Sequence, residues 1–158
     1  MNLFVLVGIL LGYCGYAVLE GMREAWYFYM KFDASGNIPK TMPKNEHPYF
    51  AAQRIFVILT TTVVAVLSAR AFEQKDHLGI YLTSIMYFAA LCMIFPFLHD
   101  GAYYRQMDEV CPGIYPKRWT DQSHKSSASI NLTYIGRLLL FVAGILFYVL
   151  ATLLTPIL

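Results

Sequence analysis

LLLFVAGILFYVLATLL, residues 138–154, carries no formal charge, and Tyr148 and Thr152 are its only polar side chains. Residues 55–69, IFVILTTTVVAVLSA, read the same way, with hydroxyls as the only polar groups. A helix of a soluble bundle keeps a polar face, and neither stretch has one. Membrane β-barrel strands alternate apolar and polar residues, which these runs do not. Both stretches therefore read as membrane-spanning helices, whose backbone polar groups are satisfied within the segment.

Two further runs complete the set. Span one covers residues 2–19, with a helical pattern that continues along the interface to 31. Span two covers 49–72, span three 77–99 and span four 129–155. Each holds roughly 15 to 21 residues without formal charge, close to the ~20 needed to cross a ~30 Å hydrocarbon core. The expectation is a single-domain, all-α integral membrane protein, residues 1–158, with four transmembrane helices in an antiparallel bundle. Composition agrees: 58% of residues are hydrophobic and 14% charged, where soluble domains carry about a quarter charged. The first run lacks the basic n-region and A-x-A site of a signal peptide, so it reads as a retained span.

Charge sets the orientation. Arg23, Lys31, Lys40, Lys44 and Arg54 lie in or beside the first connection, and Arg105, Lys117, Arg118, Lys125 and Arg137 in or beside the third. Only Arg70 and Lys75 flank the second. The positive-inside rule then places connections 20–48 and 100–128 in the cytoplasm and both termini outside. The compartment is a plasma membrane, or the inner membrane of a bacterium. Aromatic residues agree, since Trp26, Tyr27, Tyr103, Tyr104, Tyr115 and Trp119 gather at the same interface. Connection 100–128 is too long for a simple turn and reads as an ordered cytoplasmic loop. Ser123 to Ser129 offer N-caps for span four.

Several classes are disfavoured. A net charge of +2 without a basic run gives no footprint for nucleic acid. Cys14, Cys92 and Cys111 form no C-x-x-C pair, so neither a disulfide framework nor thiolate zinc is expected. A channel or transporter needs polar groups at mid-bilayer. Only Thr60, Thr61, Thr62 and Ser84 are available, and such hydroxyls commonly bond back to their own helix.

The candidate chemistry sits at the cytoplasmic helix ends. Glu20 and Glu24, spaced i, i+4, share a helix face. With His99 they offer the oxygen and imidazole donors used by divalent metals in bundles. Against this, Glu20 with Arg23 makes an ordinary i, i+3 ion pair. His99 and Asp100 form a candidate acid–base pair; the plainer reading has Gly101 ending the helix and His99 complementing its dipole. Arg54 and Arg137 lie within helical patterns at membrane depth, where ionisable groups are costly. Each is either half of an interhelical pair, Arg54 with Glu20 or Glu24, or an anion clamp, with Arg118 at the entry to span four as a third anion contact.

Gly8, Gly12 and Gly15 form a small-residue stripe on span one. It suits close helix packing within the chain first, and a homo-oligomer or membrane partner second. Three function classes follow. The first is a shallow polar site for a small ligand, lipid headgroup or metal. The second is a non-catalytic subunit or assembly protein, and the third a small transporter. The residues name no reaction.

Overall fold

The computed structural model describes residues 3–29, 47–70, 77–110 and 132–154, all helical apart from Leu132 and Thr133. The helices are α1 (Leu3–Tyr29), α2 (His47–Arg70), α3 (His77–Val110) and α4 (Tyr134–Leu154). All four are long and apolar enough to cross a membrane. Large apolar side chains point outward on each of them, Phe4, Phe56, Ile85 and Ile135 among them. In water, so much exposed apolar surface would be an aggregation hazard; in lipid it is the solvated surface. The chain is compatible with a polytopic membrane protein.

α3 is the axis of the molecule. It packs most extensively on α1 and α4, and α2 lies against α3 and, more lightly, α1. Tyr87, Ala90, Leu91 and Ile94 of α3 occupy the core, met by Leu6 and Tyr13, by Ile58 and Ala65, and by Tyr148 and Ala151. Lipid tails are as apolar as these side chains, so burial alone does not hold membrane helices together; close packing and interhelical hydrogen bonds do.

Three core tyrosines supply those bonds. The Tyr13 hydroxyl donates to the Leu91 carbonyl at 3.1 Å, and that of Tyr148 to the Leu6 carbonyl at 2.8 Å. Tyr87 and Thr152 hydroxyls meet at 3.1 Å, and the Tyr87 and Tyr148 rings stand edge to face at 4.9 Å.

Two glycines supply the close packing. A Cβ on Gly144 would lie 2.8 Å from the Ala90 carbonyl oxygen and from Ile94 Cγ1. One on Gly21 would overlap the His99 carbonyl. The Gly8, Gly12 and Gly15 stripe behaves otherwise: a Cβ at any of them meets nothing within 4 Å. Its expected use in internal packing is therefore corrected, because the stripe faces away from α2, α3 and α4.

The expected ends also shift. Span three does not stop at His99. Its helix runs through Pro96 and Gly101 to Val110, 34 residues in all. At 1.5 Å per residue that is ~51 Å, well beyond a ~30 Å core. Gly101 is thus an interior helical residue and not a cap, since the turns beyond it bury Ala102, Tyr104, Gln106 and Met107. α4 begins at Tyr134 and not near 129. Its cap is Thr133, whose Oγ1 accepts the Gly136 amide at 3.0 Å. Residues 100–110 of the expected loop are part of α3, and Tyr115, Arg118, Trp119 and the rest of that loop lie outside the described residues.

Candidate functional site

Helix periodicity brings the polar residues together. Glu20 and Glu24 are one turn apart on α1, both buried. Arg54 lies just inside α2, and His99 falls where α3 crosses Gly21. That glycine lets the α3 backbone come close enough for a short carboxylate to reach an imidazole.

Glu24 is the centre. Its Oε2 accepts from the Arg54 Nη2 and lies 2.8 Å from His99 Nε2. On the other side of the ring, His99 Nδ1 is 3.0 Å from Asp100 Oδ1. Three helices thus place a carboxylate, a guanidinium, an imidazole and a second carboxylate in one connected row. The Asp100 side chain is 35% exposed and Arg54 24%, so the row has two wet ends and a buried middle.

The His99 ring imposes a choice. Arg54 Nη2 is 3.0 Å from Nε2, the same nitrogen that faces Glu24. With a proton on Nε2, the ring donates to Glu24. Without one, its lone pair accepts from Arg54. One nitrogen cannot do both. With Nδ1–H donating to Asp100, the protonated ring bridges two carboxylates, and the neutral ring turns its lone pair to Arg54.

Aromatic rings wall the row. Phe95 stacks on His99 at 4.8 Å, and Tyr103 lies nearly parallel to it at 6.4 Å. The Arg54 guanidinium carbon sits 5.3 Å from the Phe95 centroid, within cation–π range. Arg54 Nε is buried and has no hydrogen-bond partner among the described residues.

A second polar group borders the first. Glu20 pairs with Arg23 at 2.8 Å, and Arg23 also donates to Gln53 Oε1 of α2 at 3.0 Å. The Glu20 carboxylate is thus committed to Arg23, and Glu20, Glu24 and His99 are not drawn into one donor set. Among the described residues, no group of three or more His, Cys, Asp or Glu side chains is arranged to hold a metal ion.

Arg137 is 1% exposed, and its guanidinium carbon lies 5.7 Å from the Tyr104 ring centroid. Tyr104 in turn meets Tyr103 edge to face at 5.4 Å. Arg137 therefore stands at the far end of an aromatic row that begins at His99.

The sequence-level pairing of Arg54 with Glu24 is present, as is the Glu20–Arg23 pair. His99 and Asp100 meet although they are adjacent on a helix. Sequence reasoning missed Gly21, Gln53 and Phe95, read Tyr103 only as an interfacial aromatic and not as a neighbour of His99, and missed Tyr16, whose buried hydroxyl has no hydrogen-bond partner among the described residues. A glycine on the same span as two acids, and aromatics spaced i, i+4 about His99, were the available signals. The chain matches no protein-family model, no curated protein and no solved structure.

Proposed function

We propose that this chain is a polytopic membrane protein whose four spans form an up-and-down bundle of antiparallel neighbours with a shallow anion-binding polar site at the cytoplasmic face. Arg54 is the anion contact, and the Glu24–His99–Asp100 row holds and moves a proton beside it. Cross-helix pairs support the arrangement: Tyr27 meets Phe50 while Glu24 meets Arg54, and Phe97 meets Phe141 while Tyr87 meets Tyr148. The distribution of Lys and Arg supports termini outside and connections 20–48 and 100–128 inside.

The observation that carries the site is the state of Arg54. Two of its neighbours are anionic or basic partners, yet its Nε–H is buried without an acceptor among the described residues. A guanidinium binds carboxylate or phosphate through its N–H groups; the Nη beside Nε is Nη2, which Glu24 holds, so Nε–H is the donor of that edge left for a ligand. Metal binding is not part of the proposal, because Glu20 faces Arg23 while Glu24 already serves Arg54 and His99.

Anion binding is tested by the thermal stability of purified protein in increasing butyrate and, separately, inorganic phosphate. Saturable stabilisation follows occupancy of the native state, about 2.7 kcal/mol at a hundred times Kd. The wild-type protein should respond to at least one anion and Arg54→Gln to neither. No saturable response in the wild type would sink the site.

A second reading, a non-catalytic subunit, is favoured by the open Gly8, Gly12 and Gly15 stripe, which leaves a close-approach face on α1 for another helix. Transport is not favoured. Thr60, Thr62 and Ser84 hydroxyls donate to the carbonyls of Phe56, Ile58 and Ile80 at 2.7–2.8 Å, so none of the three offers its proton to a mid-bilayer path.

A further inference from the structure

His99 Nε2 stands between a donor and an acceptor: Arg54 Nη2 is 3.0 Å away and Glu24 Oε2 is 2.8 Å away. While the ring is neutral with its proton on Nδ1, toward Asp100, the Nε2 lone pair takes an N–H of Arg54. Nη2 then serves α1 through Glu24 and α3 through His99 at once. Because Asp100 keeps Nδ1 protonated, an added proton goes to Nε2. Two N–H groups then face each other, both side chains are cationic, and the contact with Arg54 ends. The ring donates to Glu24 instead, and the Arg54 N–H that it accepted is released.

The charges around the ring give this exchange a consequence. α1 presents Glu24, with Glu20 and Arg23 paired a turn before it. α2 presents Arg54, and α3 itself presents Asp100. α4 contributes Arg137, which stands beyond Tyr103 and Tyr104. In the row that touches the ring, a neutral His99 leaves one guanidinium to answer two carboxylates, so an arriving anion finds no cation unmet. With His99 protonated, two cations answer two carboxylates. An anion that enters with a proton leaves the charge of the row unchanged. One that enters alone adds a negative charge where desolvation makes it costly. The free Nε–H belongs to the same guanidinium that touches the ring, so ligand and imidazolium attract at short range, where the low dielectric strengthens the attraction.

We infer that anion binding at Arg54 is proton-gated: the anion is held only while His99 is protonated, and each anion bound takes up one proton there. This rests on the anion-binding reading of Arg54 and adds its regulation. Affinity is then level below the titration midpoint of the ring. Above the midpoint it falls about tenfold per pH unit, the slope of one linked proton.

The test is calorimetric titration of the full chain in phosphatidylcholine nanodiscs across the histidine range, about pH 5–8. The probes are butyrate and methanesulfonate, the second an oxygen anion that does not itself titrate there. Both should show the one-proton slope. Heats in buffers of different ionisation enthalpy should report uptake approaching one proton per anion at the upper end. Nitrogen-15 spectra should show saturating methanesulfonate raising the His99 midpoint by the matching factor, as linkage requires. None of these readings needs a variant. His99→Gln, whose amide can still donate to Glu24, should bind weakly and without the slope. Binding with no pH dependence, an unmoved His99 midpoint, or a slope that survives in His99→Gln would each overturn the gating and leave the anion site standing. If neither anion binds at any pH in the range, the site itself falls and the gating with it.

Discussion

Replacing Glu24 and Arg54 by leucine, singly and together, measures whether the charged row is one unit. Glu24→Leu strands Arg54 between the Phe95 face and a His99 nitrogen. Removing one member of a buried pair costs ~3–5 kcal/mol. Arg54 is 24% exposed and its stem can lean toward the headgroups, which lowers the expected loss to about 2 kcal/mol. Arg54→Leu costs less, about 1–2 kcal/mol, because Glu24 keeps His99 at 2.8 Å. The double variant replaces a pair by two apolar side chains, a change that is often nearly neutral. With the double variant near zero, the coupling energy is about the sum of the two single losses, about 3–4 kcal/mol, above the ~0.6–1.7 kcal/mol of neutral interhelical hydrogen bonds in membranes. Reversible unfolding in bicelles by steric trapping gives all three differences on the same scale. Additivity to within ~0.5 kcal/mol would refute the pairing and leave Glu24 and Arg54 as independent interfacial charges.

Three further outcomes follow from the geometry. Gly21→Ala and Gly144→Ala should each lower stability by ~1–3 kcal/mol, because the added methyl meets the backbone of α3. Gly8→Ala, Gly12→Ala and Gly15→Ala should stay within ~0.5 kcal/mol in unfolding measurements on the monomer. Tyr148→Phe should cost ~1 kcal/mol by losing the bond to the Leu6 carbonyl; an unchanged unfolding midpoint would remove that hydroxyl from the account of how α4 is tied to α1. Nitrogen-15 NMR of His99 should find a proton on Nδ1, held by Asp100, and Asp100→Leu should release the ring to the other tautomer. Spectra showing bare Nδ1 in the wild-type protein would reverse the proton assignment.

The spans were legible because hydrocarbon imposes a simple rule, long runs without charge, and residues 55–69 and 138–154 obey it without ambiguity. The pairs of Glu20 with Arg23 and Glu24 with Arg54 were legible for a related reason: an ionised side chain at membrane depth needs a counter-charge, and few were available. The C-terminal third of α3 was not. Pro96 and Gly101 are ordinary stop signals in water, but burial of Ala102, Tyr104 and Met107 outweighs the local penalty and carries the helix to Val110. The glycines misled in both directions. Gly8-x-x-x-Gly12 fits a packing motif yet faces open space, and the glycines that admit α3 are isolated ones at 21 and 144. Spacing within one helix says which residues share a face; it does not say which face a neighbour takes. Tyr13, Tyr87 and Tyr148 were passed over because tyrosine was read as an interfacial residue, whereas in mid-span its hydroxyl must find a carbonyl or another hydroxyl.

The two polar groups beside each other on α1 and α2 separate structure from site better than either does alone. Glu20, Arg23 and Gln53 make a closed set: the carboxylate meets the guanidinium, which meets the amide oxygen across the helix gap. Arg23 is half exposed and its charge is shared with water. Such a set holds α1 against α2 in register and needs nothing more. Glu24, Arg54 and His99, one turn further along α1, form an open set. A donor, the Arg54 Nη2, and an acceptor, the Glu24 carboxylate, contend for one imidazole nitrogen, and the Arg54 Nε–H stays buried without an acceptor among the described residues. If register were all that was required, the first group already supplies it. A second buried charge row then adds desolvation cost with little gain in stability. A guanidinium N–H without an acceptor among the described residues and a proton with two resting places are what an anionic ligand uses and a structural clamp does not. That contrast favours binding over bracing at Arg54.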